Sequence, residues 1–209
     1  EKGSMTSAVY YRHTEGVIER IRQQLSDTTS LSFPVNLSTQ NDYGLEFTGS
    51  YEPFHFWKIN GNLNFFRSET TGQYEGQVLN AETYTWSGRV SSRTTVFKKL
   101  DIQVNFNYRA PRNVPQGRSR ALYHADLAAS LDLLKSNGTI TFSVRDVFNS
   151  RKWRYITEGD TFYNEGEFQW RARQVSLTFS YRINRQKDRR ERGDGERGEG
   201  GGDGGSMEF

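Results

Sequence analysis

Between Thr139 and Ile183 the chain carries two runs that alternate between apolar and polar residues, Thr139–Arg145 and Gln174–Ile183. In the second, Val175, Leu177, Phe179, Tyr181 and Ile183 fall on one face, because strand side chains alternate with period two. Gln174, Ser176, Thr178, Ser180 and Arg182 fall on the other. A two-layer soluble fold covers such an apolar face with a packed core. A membrane barrel covers it with lipid and gives the polar face a lumen.

The same period recurs along the chain. Met5, Ser7, Val9 and Tyr11 share a face in Gly3–His13; a turn signal follows at His13–Gly16, and a weaker strand is expected over Val17–Leu25. Tyr43–Tyr51 and Trp57–Phe65 form a hairpin, and Tyr84–Val96 and Ile102–Tyr108 form another. Ala121–Leu131 is rich in Ala and Leu, both strong helix formers. Tyr123, Ala125, Leu127, Ala129 and Leu131 nevertheless keep the period of two, so a strand is expected there as well.

The connections alternate in length, short near residues 14, 54, 99 and 136 and long and polar near 34, 74, 114 and 160. Outer-membrane barrels join their strands by short periplasmic turns and long extracellular loops, and each strand needs roughly 9 to 11 residues to cross at a tilt. Sandwich strands are shorter, about 5 or 6 residues. The pattern therefore predicts an all-β, antiparallel up-and-down transmembrane β-barrel over 1–184. About nine strands fit, and an odd number implies an incomplete C-terminal portion of a larger barrel. Aromatics lie at both strand ends, as interfacial girdles require. Phe54, Phe56, Trp57, Phe97 and Tyr181 are near the short turns; Tyr84, Trp86, Tyr108 and Tyr123 are near the long loops.

Composition agrees with a sheet that has one apolar face. The hydrophobic fraction of 33% and mean hydropathy of -0.83 are low for a soluble core, whereas 14% aromatic residues is too many for a disordered chain. No run approaches the roughly 18 apolar residues of a membrane helix. The chain opens on Glu1 without a secretory signal, so a leader is expected upstream in a longer precursor. The absence of cysteine removes disulfides, thiolate metal sites and cysteine nucleophiles. The net charge is +3, of which the 185–209 tail contributes -1, and the basic residues elsewhere are dispersed. That distribution is no nucleic-acid footprint.

Several segments resemble a known family: Asn41–Phe47, Trp57–Arg67, Tyr108–Arg112, Ser143–Lys152 and Phe168–Val175, with Val144–Trp153 the most specific. Together they are similar to the C-terminal barrel half of TonB-dependent-receptor-like outer-membrane β-barrel proteins of the Bacteroidetes type. The resemblance implies a barrel of about 22 strands closed by an N-terminal plug. It also implies solute uptake energised by the TonB complex, insertion by the barrel-assembly machinery, and contact with outer-membrane lipid and an external solute. Neither plug nor TonB box lies within this sequence. The last strand is followed by a hydrophilic tail rather than ending on an aromatic residue.

Candidate chemistry is sparse. His13, His55 and His124 stand on separate elements without zinc spacing, and Glu158, Asp160, Glu165 and Glu167 lack the calcium-loop pattern. No nucleophile elbow occurs. Neither an enzyme nor a cofactor is expected. The polar faces carry Arg89, Arg93, Arg109, Arg120, Asp126, Arg145 and Arg182, with Glu46, Glu52, Asp101 and Asp132 across neighbouring strands. An arginine facing lipid at the midplane costs about 2 to 4 kcal/mol, so these residues are expected to face a lumen. The 185–209 tail, rich in glycine and charge, is expected to be disordered in the periplasm. The competing reading is a soluble β-rich domain that binds carbohydrate or another ligand on Trp86, Trp153 and Trp170.

Overall fold

The computed structural model describes residues 2–26, 28–36, 39–134, 137–159 and 162–183. The tail expected over 185–209 lies outside the described residues. Those described form sixteen strands. The first eight are β1 Gly3–Glu15, β2 Ile18–Ser26, β3 Thr29–Asn36, β4 Thr39–Phe54, β5 Trp57–Thr71, β6 Gln73–Tyr74, β7 Gln77–Val78 and β8 Ala81–Val96. The rest are β9 Leu100–Arg109, β10 Arg112–Val114, β11 Gly117–Ser119, β12 Leu122–Leu133, β13 Gly138–Arg145, β14 Trp153–Gly159, β15 Phe162–Phe168 and β16 Gln174–Tyr181.

Eight of these make one antiparallel sheet in the order β1-β4-β5-β8-β9-β12-β13-β16, an up-and-down meander. The register extends the period of two across the whole sheet. Gly3, Tyr51, Ile59, Ser92, Val104, Leu127, Val144 and Val175 form one cross-strand row. The adjacent row, Ser4, Ser50, Asn60, Ser91, Asn105 and Asp126, takes the opposite face. A slip of one residue in any strand would exchange its faces, so the alternation itself fixes the pairing.

Among the described residues no second layer covers the apolar face. Val9 is 83% exposed, Leu177 72%, Phe179 59%, Phe142 43% and Phe106 38%, and Leu63 is half-buried among its strand neighbours. Among the described residues no helix is long and apolar enough to cross a membrane, which says nothing of crossing by strands. The hydrophobic cluster sits instead in the loops, where Ile21 and Leu79 pack with Phe33, Val35 and Tyr74. The main sheet is open, with β1 and β16 as its edges.

The long connections are folded. β2 and β3 form a hairpin, β6 and β7 another, and β10, β11, β14 and β15 a four-stranded sheet. The strand expected over Val17–Leu25 is present as β2, but it does not join the main sheet. β2 pairs with β3 outside the main sheet, because Glu19, Arg20 and Arg22 would put charge on either face of a membrane strand while Ile21 packs beside Leu79. The turn near residue 14 therefore opens a loop hairpin, and the connection from β1 to β4 is a long one. The sheet has eight main strands where about nine were expected, and the inference from an odd count does not apply.

Aromatic rings mark both margins of the apolar face. At the short-turn end Phe54 stacks on Phe56 at 5.3 Å and on Trp57 at 6.4 Å. At the loop end Trp86 stacks on Tyr108 at 4.4 Å, and Tyr11 meets Tyr43 at 5.0 Å. Charge resumes two residues past Phe65 on the same face. There Arg67 lies 5.5 Å from the Tyr84 ring and pairs with Glu82 at 2.8 Å and with Glu69.

Candidate functional site on the polar face

The polar face is built by cross-strand rows. Thr48, Asn62, Arg89, Asn107 and His124 form one row, and Glu46, Asn64, Ser87, Arg109 and Leu122 the next. Neighbouring side chains within them are joined: Asn62 Nδ2 donates to Glu46 Oε1 at 2.7 Å and to Thr48 Oγ1 at 3.0 Å. Arg89 Nε donates to Asn107 Oδ1 at 2.7 Å.

A tight turn after β13 closes this surface at the loop end. Asp146, buried and at φ 53°, adopts the left-handed conformation that Asp and Asn tolerate best. Its carboxylate accepts the backbone N–H of Ser150 at 2.9 Å and of Arg151 at 3.0 Å. Its own N–H donates to Asp126 Oδ1 at 2.8 Å, and Ser150 Oγ donates to the Tyr123 carbonyl at 2.8 Å. At the other end of the turn, Asn149 Oδ1 accepts from Gln169 Nε2 at 2.9 Å and from the Arg173 N–H at 3.0 Å. Two carboxylates and one amide thus fasten β12, the β13 exit and the segment leading to β16. Arg145 precedes this turn and Arg151 ends it, and both line the adjoining cavities.

These elements line an open polar cavity of about 830 Å³, with Arg89, Arg109, Arg145, Arg151, His124 and Trp153 among its walls. A second cavity of about 290 Å³ shares Arg145, Arg151 and Trp153 and adds Trp170 and Arg171.

Of the seven residues singled out on the polar face, Arg89, Arg109, Asp126 and Arg145 line the larger cavity. The other three are elsewhere. Arg93 pairs with Asp101 at 2.6 Å toward the short-turn end, and Asp101 also accepts from Thr95 Oγ1 at 2.6 Å. Arg120 directly follows β11 of the loop sheet, where its N–H donates to the Arg154 carbonyl and its guanidinium pairs with Glu165 at 2.7 Å. Arg182 follows β16, its N–H bonded to the Asn137 carbonyl at 2.8 Å beside the short turn.

Sequence reasoning missed Arg151 at this site, because a residue outside a regular strand has no predictable facing. The signal was Asp146 followed by Ser150, a turn in which an acidic side chain caps later N–H groups. Of the three tryptophans offered as ligand platforms, Trp86 stands in the apolar-face stack, while Trp153 and Trp170 line the smaller cavity together and are joined through Phe168. In the acidic loop Glu165 and Glu167 are engaged by Arg120 and Lys152, and Asp160 lies outside the described residues. Among the described residues no group of three or more His, Asp or Glu side chains is placed to hold a metal ion.

A model described as the outer membrane protein beta-barrel family matches residues 1–181. Among solved structures, the siderophore receptor PiuA from Acinetobacter baumannii is similar, with a TM-score of 0.55 and 14% sequence identity. The match covers 86% of this chain and 26% of the receptor chain, so the chain spans about a quarter of that receptor's length. At this identity the similarity concerns the fold. No curated protein sequence matches significantly.

Proposed function

Because this chain belongs to the outer membrane protein beta-barrel family, an outer-membrane β-barrel architecture, we propose that it forms part of a TonB-dependent-receptor-like barrel that takes up solute. In this reading the apolar face meets outer-membrane hydrocarbon. The polar face lines the solute path, with Arg89, Arg109, Asp126 and Arg145 on its wall and Arg93, Arg120 and Arg182 nearer its two ends. The folded loops stand outside the cell, and the 185–209 tail lies in the periplasm. The working partners are lipid, an external solute, the barrel-insertion machinery and, through an N-terminal plug, the TonB complex.

The observation that carries this reading is the uncovered apolar face. A contiguous exposed surface of Val, Leu and Phe spanning the sheet far exceeds the isolated apolar residues of soluble proteins, and lipid is a solvent that accepts it. The soluble binding-domain alternative requires a second layer over that face, and the described residues supply none. Uptake is supported by the larger, polar cavity on the opposite face and by the fold shared with part of a siderophore receptor.

Two measurements test the proposal. Cell fractionation should place the native protein in the outer membrane, with the heat-dependent change in gel mobility of a barrel. Deletion of its gene should reduce uptake of at least one solute in a TonB-dependent manner. Recovery in the soluble fraction contradicts the barrel, and uptake unaffected by loss of either component contradicts the transport role.

A further inference from the structure

We infer that the linked cavities on the polar face form a binding subsite for a small solute bearing carboxylate or phosphate groups. The inference rests on the proposed solute path and specifies what travels along it. Arg89, Arg109, Arg145, Arg151 and Arg171 line the two cavities, opposed by Glu46, Asp126 and Asp146. The acids do not neutralise this group in pairs. Glu46 is held by Asn62, while Asp126 and Asp146 accept backbone N–H groups of the turn. Among the described residues none of the five guanidiniums is in an ion pair. Outside the cavities Arg12, Arg67, Arg93 and Arg120 are each in an ion pair with a carboxylate.

Arginine presents planar pairs of N–H donors matched to the oxygens of carboxylate and phosphate, and charge-assisted bonds of this type are the stronger ones. Several positive side chains lining one partly enclosed space also raise the local concentration of anions. Trp153, 56% exposed, and Trp170, 75% exposed, line the smaller cavity with Arg145, Arg151 and Arg171 and are joined through Phe168, on which Trp153 stacks at 6.1 Å, giving the body of a solute an aromatic margin. Their position makes them reporters, because a ligand in the smaller cavity changes their surroundings.

The native protein, solubilised from membranes in detergent, is titrated with citrate, inorganic phosphate, maltose and spermidine while tryptophan fluorescence is followed. Citrate or phosphate is expected to bind at least tenfold more tightly than maltose or spermidine, and more weakly as salt is raised. Arg145→Gln and Arg151→Gln should each weaken that binding about tenfold, and Arg145→Lys should restore part of it. Lys58→Gln, which removes the same charge from a residue paired with Glu52 outside these cavities, should leave affinity unchanged. Each variant is first required to show the heat-dependent mobility of the parent, with the lysine variant replacing a glutamine variant that fails to fold.

Equal affinity for neutral and anionic probes, no binding of either anion, or equal loss in Lys58→Gln would each overturn the anion subsite. Those results leave the barrel standing if membrane location and mobility are intact. A soluble native protein instead removes the solute path on which the inference is built.

Discussion

The side-chain amide of Gln116 makes both hydrogen bonds that a neighbouring strand would make to Arg22. Its Oε1 accepts the Arg22 N–H at 2.7 Å and its Nε2 donates to the Arg22 carbonyl at 3.2 Å. Gln116 lies in the turn between β10 and β11, and Arg22 in β2. One side chain thereby ties the first loop hairpin to the four-stranded loop sheet.

Replacing Gln116 with Ala should release this tie at a local cost of about 1 to 3 kcal/mol, two hydrogen bonds at their usual net worth. Trypsin cleavage after Arg20 or Arg22 is expected to accelerate by about tenfold or more, without a change in barrel mobility on gels. Unchanged cleavage would show that the Ile21–Leu79 cluster holds the hairpin unaided.

Gly117 should not accept a side chain. Its φ is +127°, and a Cβ there would collide with the carbonyl oxygen of Ile156 on β14. Gly117→Ala is expected to cost at least about 1 to 3 kcal/mol from backbone strain alone. Protease sensitivity should rise in the loop sheet while the main sheet still inserts. Loop proteolysis identical to that of the parent would contradict the assigned backbone geometry.

Glu19 carries the pH dependence of the β2–β3 hairpin. Burial raises its pKa above the ordinary carboxylate value, only partly opposed by Arg112. A raised carboxylate pKa means that the folded hairpin favours the protonated acid. Its relative stability is therefore fully present below the unfolded pKa and is lost as pH rises through the higher folded value. Glu19→Gln should increase hydrogen-exchange protection of the hairpin at pH 7 and make little difference at pH 4, after correction for intrinsic exchange rates. Greater stabilisation at pH 4 than at pH 7 would reverse the assigned sign.

A charge on the sheet should matter by face rather than by position along the strand. Val90, exposed on the apolar face, and Ser91, on the polar face, are adjacent in β8. Val90→Arg is expected to destabilise the protein refolded into lipid vesicles by about 2 to 4 kcal/mol at mid-membrane depth, and Ser91→Arg by much less. Urea titrations monitored by tryptophan fluorescence measure the difference, and equal losses would count against a lipid-facing Val90.

The main sheet was legible because its strands repeat one two-residue pattern, which both register and facing obey. Ala121–Leu131 shows the strength of this signal: period outweighed helix propensity, and β12 is a strand. The loops were less legible because their strands are short and amphipathic by different rules. β2 mixes Ile21 with Glu19, Arg20 and Arg22, so periodicity marked a strand there but not the sheet it joins. The polar-face residues on strands were readable from parity, and Arg89, Arg109, Asp126 and Arg145 meet as parity and sheet order bring them together. Arg151 depends on the Asp146 turn and Arg120 on a loop sheet, and neither follows from an alternating pattern.

The most direct test of the central assignment uses the natural absence of cysteine. Single cysteines introduced in turn from Gln103 to Tyr108 of β9 are spin-labelled in membrane-embedded protein. Accessibility is then compared for oxygen, which concentrates in hydrocarbon, and for a water-soluble nickel chelate. Oxygen accessibility is predicted to peak at 104, 106 and 108, and chelate accessibility at 103, 105 and 107. A profile without this alternation, or one with the two sets exchanged, would contradict a membrane-facing apolar surface.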